Sequence, residues 1–272
     1  MGNLFRLEHL DMSFNFLRGG IPTSLSNCSR LLDLVFSSNP LGGGVPSDLG
    51  LLTKLVTLYL DRTKLKGKLP PSLGNLTSLR ELGLDKNNLK GEIPEDIARL
   101  TQLVYLELTM NNLSGVFTPA IYNLSSLEYL SMYGNGFWGN LRPDIGYLLP
   151  NLQDLSVGQN YLTGAIPTTL TNISSLQKLG IEYNNLKGSI PSSFGKVRNL
   201  QLLTLLGNSL GNHSVKDLEF LDALTNCTQL QELDVGYNRL GGFLPASIAN
   251  MSTNLIYLSK PSRKSHLRKH SS

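Results

Sequence analysis

The chain has 272 residues, of which 40% are hydrophobic, enough to fold as one or two ordinary domains. It carries 24 basic and 20 acidic residues, but five of the basic ones lie between Lys260 and Lys269, so the rest of the sequence is close to neutral. This distribution argues against a nucleic-acid-binding surface on the folded part. The sequence has no run of about 18 apolar residues to predict a membrane helix, and its first residues do not resemble a signal peptide.

A repeat of about 24 residues begins near the N-terminus and runs almost to the end of the chain. Its pattern is LxxLxLxxNxLxGxIPxxLxxLxx, and one unit, from Leu200 to Leu230, is longer than the others. The sequence holds ten full leucine-rich repeats and a broken eleventh. The units start at Leu7, Leu31, Leu55, Leu79, Leu103, Leu127, Leu152, Leu176, Leu200, Leu230 and Leu255.

The LxxLxL part of each unit predicts a short strand, because alternate side chains of a strand point to opposite faces. The leucines would face the core and the residues between them would face solvent. Strands are expected near residues 8–12, 32–36, 56–60, 80–84, 104–108, 128–132, 153–157, 177–181, 201–205 and 231–235.

Stacking such units predicts an α/β solenoid, a curved right-handed stack with a parallel sheet on its concave side. We expect this solenoid over residues 1–259 and a basic, disordered tail over 260–272. In the long unit, Leu218, Leu221 and Leu224 have the spacing of an amphipathic helix, which we place on the convex side.

The asparagine that ends each strand segment is expected to satisfy backbone groups of neighbouring coils, because its amide both donates and accepts hydrogen bonds. Thr63 replaces it in one repeat, and a hydroxyl can do only part of that work. Cys28 and Cys227 occupy an apolar slot of the repeat and lie eight units apart. This separation excludes a disulfide between them, and we expect two buried thiols.

The sequence offers no catalytic motif, so an enzyme is not expected. We expect no cofactor, because Asn135, Phe137 and Gly139 of GNGFWG are repeat positions and no crossover helix follows this segment. No metal is expected, since no histidine has a partner at metal-ligand spacing. The basic tail lacks aromatic residues that could stack on bases, so it does not predict specific nucleic-acid binding.

Asparagine sequons are frequent, and most of them share one slot on the segment that returns from the sheet. Glycans are bulky and must lie on the surface, so this pattern predicts a glycoprotein of the secretory pathway with a glycan-free concave face. The alternative is that serine and threonine are simply common in this slot. The candidate glycosylation sites are Asn27, Asn75, Asn112, Asn123, Asn172, Asn212, Asn226 and Asn250.

The motif LxGxIPxxLxNLxxL resembles the plant-specific leucine-rich repeat. Runs such as LEFLDALTNCTQLQELDVGYNRLGGFLPASIANMSTNL resemble the ectodomains of plant leucine-rich-repeat receptor kinases of the innate-immune class. The resemblance implies a plasma-membrane receptor whose extracellular side binds a peptide or protein and recruits a co-receptor kinase. We expect a fragment of such an ectodomain, cut off before the membrane helix and the Ser/Thr kinase. The alternatives are a secreted plant repeat protein that binds or inhibits another protein, and a truncated product without function.

The concave face is the expected ligand surface. Tyrosine offers a large rigid contact area with a polar tip, and the surplus of acidic residues favours a basic, extended peptide. We expect the tyrosines of this face at exposed strand positions. The candidate ligand-binding residues are Tyr59, Tyr105, Glu107, Tyr129, Tyr133, Asp154, Glu182, Tyr183, Asp234 and Tyr237.

Overall fold

The structure, a computed structural model, describes residues 4–117 and 119–259. The prediction of a disordered tail over 260–272 lies outside the described residues. Among the residues that are described, no helix is long and apolar enough to cross a membrane.

The elements repeat in the order strand, second strand, short helix. In chain order the strands are β1 His9–Asp11, β2 Asp33–Val35, β3 Thr57–Tyr59, β4 Lys66–Gly67, β5 Glu81–Gly83, β6 Asn88–Gly91, β7 Tyr105–Glu107, β8 Asn112–Val116, β9 Tyr129–Ser131, β10 Gly136–Asn140, β11 Asp154–Ser156, β12 Tyr161–Thr163, β13 Lys178–Gly180, β14 Lys187–Gly188, β15 Leu202–Thr204, β16 Ser209–Leu210, β17 Glu232–Asp234 and β18 Tyr257–Leu258.

The main sheet has 11 strands, all parallel to their neighbours, in the order β1-β2-β3-β5-β7-β9-β11-β13-β15-β17-β18. Equivalent residues of successive repeats are paired, as Leu34 with Leu58 and Leu106 with Leu130. The repeat leucines are buried between coils, so the core is one cluster along the whole stack. The predicted solenoid with a parallel sheet and the ten predicted strands are confirmed, although each strand is about one residue shorter at either end.

A second, smaller sheet was not predicted. Its five parallel strands have the order β12-β10-β8-β6-β4. Four of them begin directly after the asparagine that follows a main strand, and β4 begins three residues after Thr63. Gly139, with φ of +92°, shows why the repeat keeps a glycine there: an added Cβ would be strained and would lie 3.3 Å from Val116 Cγ1. The side chain of one repeat therefore lies over the glycine of the next.

The chain returns to the sheet mainly through 3₁₀-helices of five residues. A proline with extended backbone precedes most of them, which fixes the point where the helix begins. The 3₁₀-helices span Thr23–Asn27, Ser47–Leu51, Pro71–Asn75, Glu95–Arg99, Pro119–Asn123, Thr168–Asn172, Ser192–Lys196 and Ala246–Asn250, and the α-helices are α1 Ile145–Leu148 and α2 Phe220–Leu224.

The predicted helix of the long repeat is present but short. Helix α2 covers only the second half of the insertion, and Leu218 lies in the turn before it. Residues 212–217 form a loop instead, because the Asp217 carboxylate accepts hydrogen bonds from three backbone amides, those of Asn212, Ser214 and Gly241. This contact ties the insertion to the following repeat.

The asparagine ladder forms as expected. Asn87 is typical: its Nδ2 donates to the carbonyls of Leu60 and Leu84 at 2.8 and 3.0 Å, and its Oδ1 accepts from the amide of Leu65 at 2.9 Å. Cys28 and Cys227 are both buried, as predicted. Burial raises the pKa of the Cys227 thiol to about 11, which keeps it protonated and unreactive.

Candidate concave ligand surface

Three predicted tyrosines meet on the main sheet. Tyr105 and Tyr129 are paired on neighbouring strands, and their rings are stacked with centroids 4.4 Å apart and planes 10° from parallel. The Tyr59 ring meets Tyr105 edge-on at 6.2 Å. Gly83 makes room for this arrangement, since a Cβ there would lie 2.3 Å from the Tyr59 ring. The three rings form a rigid aromatic surface, which we call the tyrosine stack.

Glu107 holds the tyrosine stack in place. Its Oε2 accepts a hydrogen bond from the Tyr129 hydroxyl at 2.6 Å and from the Tyr105 hydroxyl at 3.5 Å, and its Oε1 accepts from the amide of Thr109 at 3.2 Å. The residue is only 9% exposed. We expected an exposed contact residue, but the structure buries Glu107 against the hydroxyl groups of Tyr105 and Tyr129, where it orients the rings.

Burial and the nearby carboxylates keep these phenols neutral. Burial, and next the Glu107 charge, raises the pKa of Tyr105 to about 12 and moves that of Tyr129 upward as well. Burial, and next the hydrogen bond to Glu81, raises the pKa of Tyr59; the Tyr59 hydroxyl donates to Glu81 Oε2 at 2.8 Å. The hydroxyls therefore act as hydrogen-bond donors, directed at acidic residues of the same face.

The acidic residues beside the tyrosine stack repel one another. The pKa of Asp85 is raised above its ordinary value of 3.8, first by burial and then by the charges of Asp61 and Glu107. A carboxyl whose pKa is higher in the folded state than in the unfolded state favours folding while it is protonated. This stabilisation of the fold is lost as the pH rises from the ordinary pKa through the raised one. A cation bound nearby would relieve this cost.

A second group of predicted residues lies farther along the sheet. Thr204 Oγ1 donates to Glu182 Oε2 at 2.7 Å. A Cβ at Gly158 would lie 2.7 Å from the Glu182 carboxyl carbon and 3.0 Å from the Tyr133 ring. Burial, and next Glu182, raises the pKa of Tyr133. Tyr133 and Glu182 thus converge on the space above one glycine.

The structure corrects the placement of three tyrosines. Tyr133, Tyr183 and Tyr237 were expected on strands, but they lie in the turns that follow them. Tyr183 and Tyr237 have φ of +52° and +51°, a backbone conformation that a bulky side chain seldom adopts. Both are well exposed, and the Tyr183 ring lies over Gly207. They form the rim of the concave face.

Asp234 also differs from expectation. It is buried, and its carboxylate accepts hydrogen bonds from the Gly236 amide at 3.0 Å and from the Ser259 hydroxyl, with the Tyr257 hydroxyl at 3.5 Å. These bonds join the last two strands of the main sheet. Asp234 therefore acts as a link between repeats, and Tyr237 is the predicted residue that remains accessible near it.

A cavity of about 340 Å³ opens on the edge of the tyrosine stack. Tyr105 and Tyr129 form one side, and Asp154 and Lys178 lie opposite. The Lys178 ammonium is 3.7 Å from an Asp154 carboxylate oxygen. Burial raises the pKa of Asp154 despite that lysine. The remaining lining residues are Glu81, Val104, Glu128, Gln153 and Gln177.

A chain of amide side chains ends in this cavity, and the sequence analysis did not predict it. Gln201 donates to Gln177 at 3.3 Å, Gln177 donates to Gln153 at 3.3 Å, and Gln153 donates to Glu128 at 2.9 Å. Aligned hydrogen bonds polarise one another. Because all four residues follow the first leucine of their repeats, the signal was present in the sequence as the recurring LQ and LE pairs.

The predicted residues thus form separate groups along the sheet. Tyr59, Tyr105 and Tyr129 form the tyrosine stack, and Glu107 and Asp154 lie beside it. The others are distributed toward the C-terminal repeats. In the part of the chain that the structure describes, no group of three or more His, Cys, Asp or Glu side chains is placed to hold a metal ion. The arrangement suits binding through aromatic contact and negative charge.

A larger cavity, of about 560 Å³, lies away from the main sheet beside the insertion of the long repeat. Polar residues such as Ser192, Ser214 and Asp217 line it. Asp217 is engaged by backbone amides, as described above. The sequence did not predict this cavity.

All eight sequon asparagines are exposed. Asn27, Asn75, Asn123, Asn172 and Asn250 are each the last residue of a 3₁₀-helix, and Asn226 follows α2 by two residues. These six lie on the return segments, whereas Asn112 lies on β8 of the second sheet and Asn212 in the loop of the insertion. None of the eight lies on the strands of the main sheet.

Comparison with known families agrees with this architecture. Two family models, both described as leucine-rich repeat, match this chain. One matches residues 77–137 and 150–210, and the other matches residues 6–28, 54–76 and 229–251. Together they cover well over half of the sequence.

Similar proteins are plant receptor kinases. A segment of 51 residues, 19% of this chain, is 71% identical to the Arabidopsis thaliana LRR receptor-like serine/threonine-protein kinase EFR. The match spans only 5% of that relative, so this chain corresponds to a small part of it.

Solved ectodomains share the fold over nearly the whole chain. The Arabidopsis thaliana membrane receptor kinase GASSHO1/SCHENGEN3, solved with CASPARIAN STRIP INTEGRITY FACTOR 2, has a TM-score of 0.85 and 35% identity over 94% of this chain and 30% of its own. The plant peptide hormone receptor RGFR1, solved with RGF2, has a TM-score of 0.85 and 31% identity over 94% of this chain and 44% of its own.

Proposed function

Since this chain belongs to the leucine-rich-repeat family, we propose that it is a ligand-recognition module from the extracellular side of a plant cell-surface immune receptor kinase. Its concave sheet binds an extended, basic peptide or a protein segment. The observation that carries this proposal is the tyrosine stack, held rigid by Glu107 and flanked by acidic residues such as Asp85, whose pKa is raised by burial and by neighbouring carboxylates despite Lys86.

The physical reason is preorganisation. Rings fixed by stacking and by hydrogen bonds lose little conformational freedom when a ligand arrives, so more of the contact energy contributes to affinity. The raised pKa of Asp85 marks a place where a ligand cation would relieve repulsion between carboxylates. The similar receptors solved with bound factors support the same use of this fold.

We further propose a plasma-membrane location on the extracellular side, with glycans at the eight sequons. A co-receptor kinase is a second proposed partner, which the resemblance implies. These proposals are supported by the similar proteins, one a receptor-like kinase and another a membrane receptor kinase. They are also supported by the exposure of every sequon asparagine away from the concave strands.

In the test, peptides that bind the chain are selected from a random peptide library. The affinity of the selected peptides is then measured for two variants of the chain. In the first, Tyr105, Tyr129 and Tyr133 are replaced together by Ala. In the second, Tyr147 and Tyr161, which are exposed outside the concave face, are replaced by Ala. Affinity of the selected peptides should fall at least about tenfold, or ~1.4 kcal/mol, only in the first variant.

Thermal melting of both variants shows that the fold is retained. If the selected peptides bind the two variants equally well, the concave tyrosines are not the ligand surface. If selection yields peptides that only the Tyr147/Tyr161 variant fails to bind, the ligand lies on another face and the proposal is wrong.

A further inference from the structure

The cavity beside the tyrosine stack has one aromatic and one charged side. In the strand register, Tyr129 is paired with Tyr105 on one side and with Asp154 on the other. The Tyr105 ring covers one face of Tyr129 at 4.4 Å. The other face of the ring is turned toward the next strand, and therefore toward Asp154 and the cavity.

The chain already holds a cation at this place. Lys178, one strand beyond Asp154, has its ammonium 3.7 Å from the carboxylate. The lysine is half-exposed, with 50% of its side chain open to solvent, whereas the aspartate side chain is only 21% exposed. A pair at this distance, with an exposed lysine, is weakly held. The lysine can therefore be displaced without disturbing the core.

The amide chain adds negative character on the same side. Each glutamine donates toward Glu128, so the accepting end of the chain lies in the cavity, where Gln153 and Glu128 line it. The residues that line the cavity include three carboxylates, those of Glu81, Glu128 and Asp154, and a single basic side chain, that of Lys178.

From these contacts we infer that the cavity is a subsite for an arginine side chain of the bound peptide, which stacks on the free face of Tyr129 and takes the place of Lys178 on Asp154. This inference rests on the proposed function, because it names the side chain that the concave surface selects. A guanidinium fits better than an ammonium because it is planar, lies flat on an aromatic ring and donates two parallel hydrogen bonds to one carboxylate.

Because Lys178 occupies the subsite, the inference predicts that some substitutions strengthen peptide binding and others weaken it. Removing the charge of Lys178 with Lys178→Met frees Asp154 and should strengthen binding of an arginine peptide. Removing the acceptor with Asp154→Asn, or the ring with Tyr129→Leu, should weaken it. A surface that merely attracted positive charge would not require the Tyr129 ring.

The probe is the tripeptide Gly-Arg-Gly, acetylated and amidated at its ends, titrated into the full chain with its dissociation constant measured by protein-observed NMR. Two matched peptides carry lysine or the uncharged analogue citrulline in place of arginine. The control variant is Glu95→Gln, which removes the same charge as Asp154→Asn from an exposed site in the 3₁₀-helix Glu95–Arg99.

We expect Asp154→Asn and Tyr129→Leu each to weaken the arginine peptide about fivefold, which corresponds to ~1 kcal/mol. Lys178→Met should strengthen it about threefold, Glu95→Gln should leave it unchanged, and the lysine and citrulline peptides should bind more weakly to the unaltered chain. Lys178→Met is an exposed substitution, so it reports on the subsite even if Tyr129→Leu loosens the sheet.

The inference is overturned if Lys178→Met fails to strengthen binding, if lysine binds as tightly as arginine, or if Glu95→Gln weakens binding as much as Asp154→Asn. Its failure is distinct from failure of the proposed function. Library peptides that bind the tyrosine stack without needing arginine would refute the subsite alone, whereas absence of any concave ligand in the library selection would count against the proposed function.

Discussion

The residue at the ladder position decides how many backbone amides and carbonyls of each coil are hydrogen-bonded. In eight repeats the ladder asparagine accepts a hydrogen bond from the amide of a leucine or phenylalanine in the preceding coil, as Asn39 does from Leu17 at 3.0 Å. Thr63 cannot repeat this contact. Its hydroxyl donates to Leu60 at 2.5 Å, and the amide of Leu41, which an asparagine would have reached, turns to its own neighbour, the carbonyl of Asn39.

Thr63→Asn should therefore stabilise the chain. The new amide would accept from Leu41 and donate to Phe36, two groups that other repeats bind in this way, and a satisfied buried hydrogen bond contributes about 1 kcal/mol. Urea unfolding should show a higher midpoint. The reverse change, Asn111→Thr, is the control and should lower the midpoint by a comparable amount. A loss of stability in Thr63→Asn would mean that this coil is shaped for a hydroxyl.

At the scale of elements, most of the architecture could be predicted from leucine spacing, because each leucine of LxxLxL must be buried and this requirement fixes the strand centre. The strand ends could not be predicted in this way, since pairing stops where the chain turns away at the following asparagine. The second sheet was missed because its residues alternate over only a few positions, as in Gly136–Asn140.

The insertion shows how one polar residue can override an apolar pattern. The spacing of its leucines indicates a helix, but the Asp217 carboxylate accepts hydrogen bonds from backbone amides that precede and follow it in the sequence. These bonds keep the first half of the insertion as a loop. In the candidate site, too, a tertiary contact overrides what the sequence pattern predicts. Side chains that only alternate outward, such as Glu107, can still be buried by a neighbouring ring, and sequence alone does not report that neighbour.

The 3₁₀-helices on the segments that return to the sheet are the expected sites of glycosylation. Because five sequons end a 3₁₀-helix and their asparagines are exposed, an oligosaccharide can be attached there without entering the core. The chain, produced through the secretory pathway of plant cells, should lose mass on treatment with an N-glycosidase, and peptide mapping should find Asn27, Asn75, Asn123, Asn172 and Asn250 converted to Asp.

Removing the glycans should leave the affinity of concave-face peptides unchanged, since these sites lie on the opposite side from the main sheet. Asn88, which is exposed on the second sheet but lacks a sequon, is the internal control and should stay unmodified. A chain whose mass is unaffected by the enzyme would show that the recurring sequons only reflect the composition of the slot.

At the scale of the whole molecule, each coil contacts only its neighbours, so stability is distributed along the stack. The sheet order follows the chain from β1 to β18 without exception. Among the described residues, β1 is paired only with β2 and β18 only with β17, whereas every other strand of the main sheet is paired on both sides. The outermost coils also expose large apolar side chains, including Phe14 and Phe16 at one end and Ile256 at the other.

Hydrogen exchange should therefore be graded along the solenoid. A repeat paired on one side has about half the interface of an inner repeat, and it opens without the rest of the stack. Deuterium uptake measured by mass spectrometry should be fastest in peptides that contain β1 or β18 and slowest around β7 and β9. Thr63→Asn should slow exchange most in β2 and β3, the coils on either side of the new hydrogen bonds. Equal protection from end to end would show a single cooperative unit and would contradict the nearest-neighbour account of how this chain is held together.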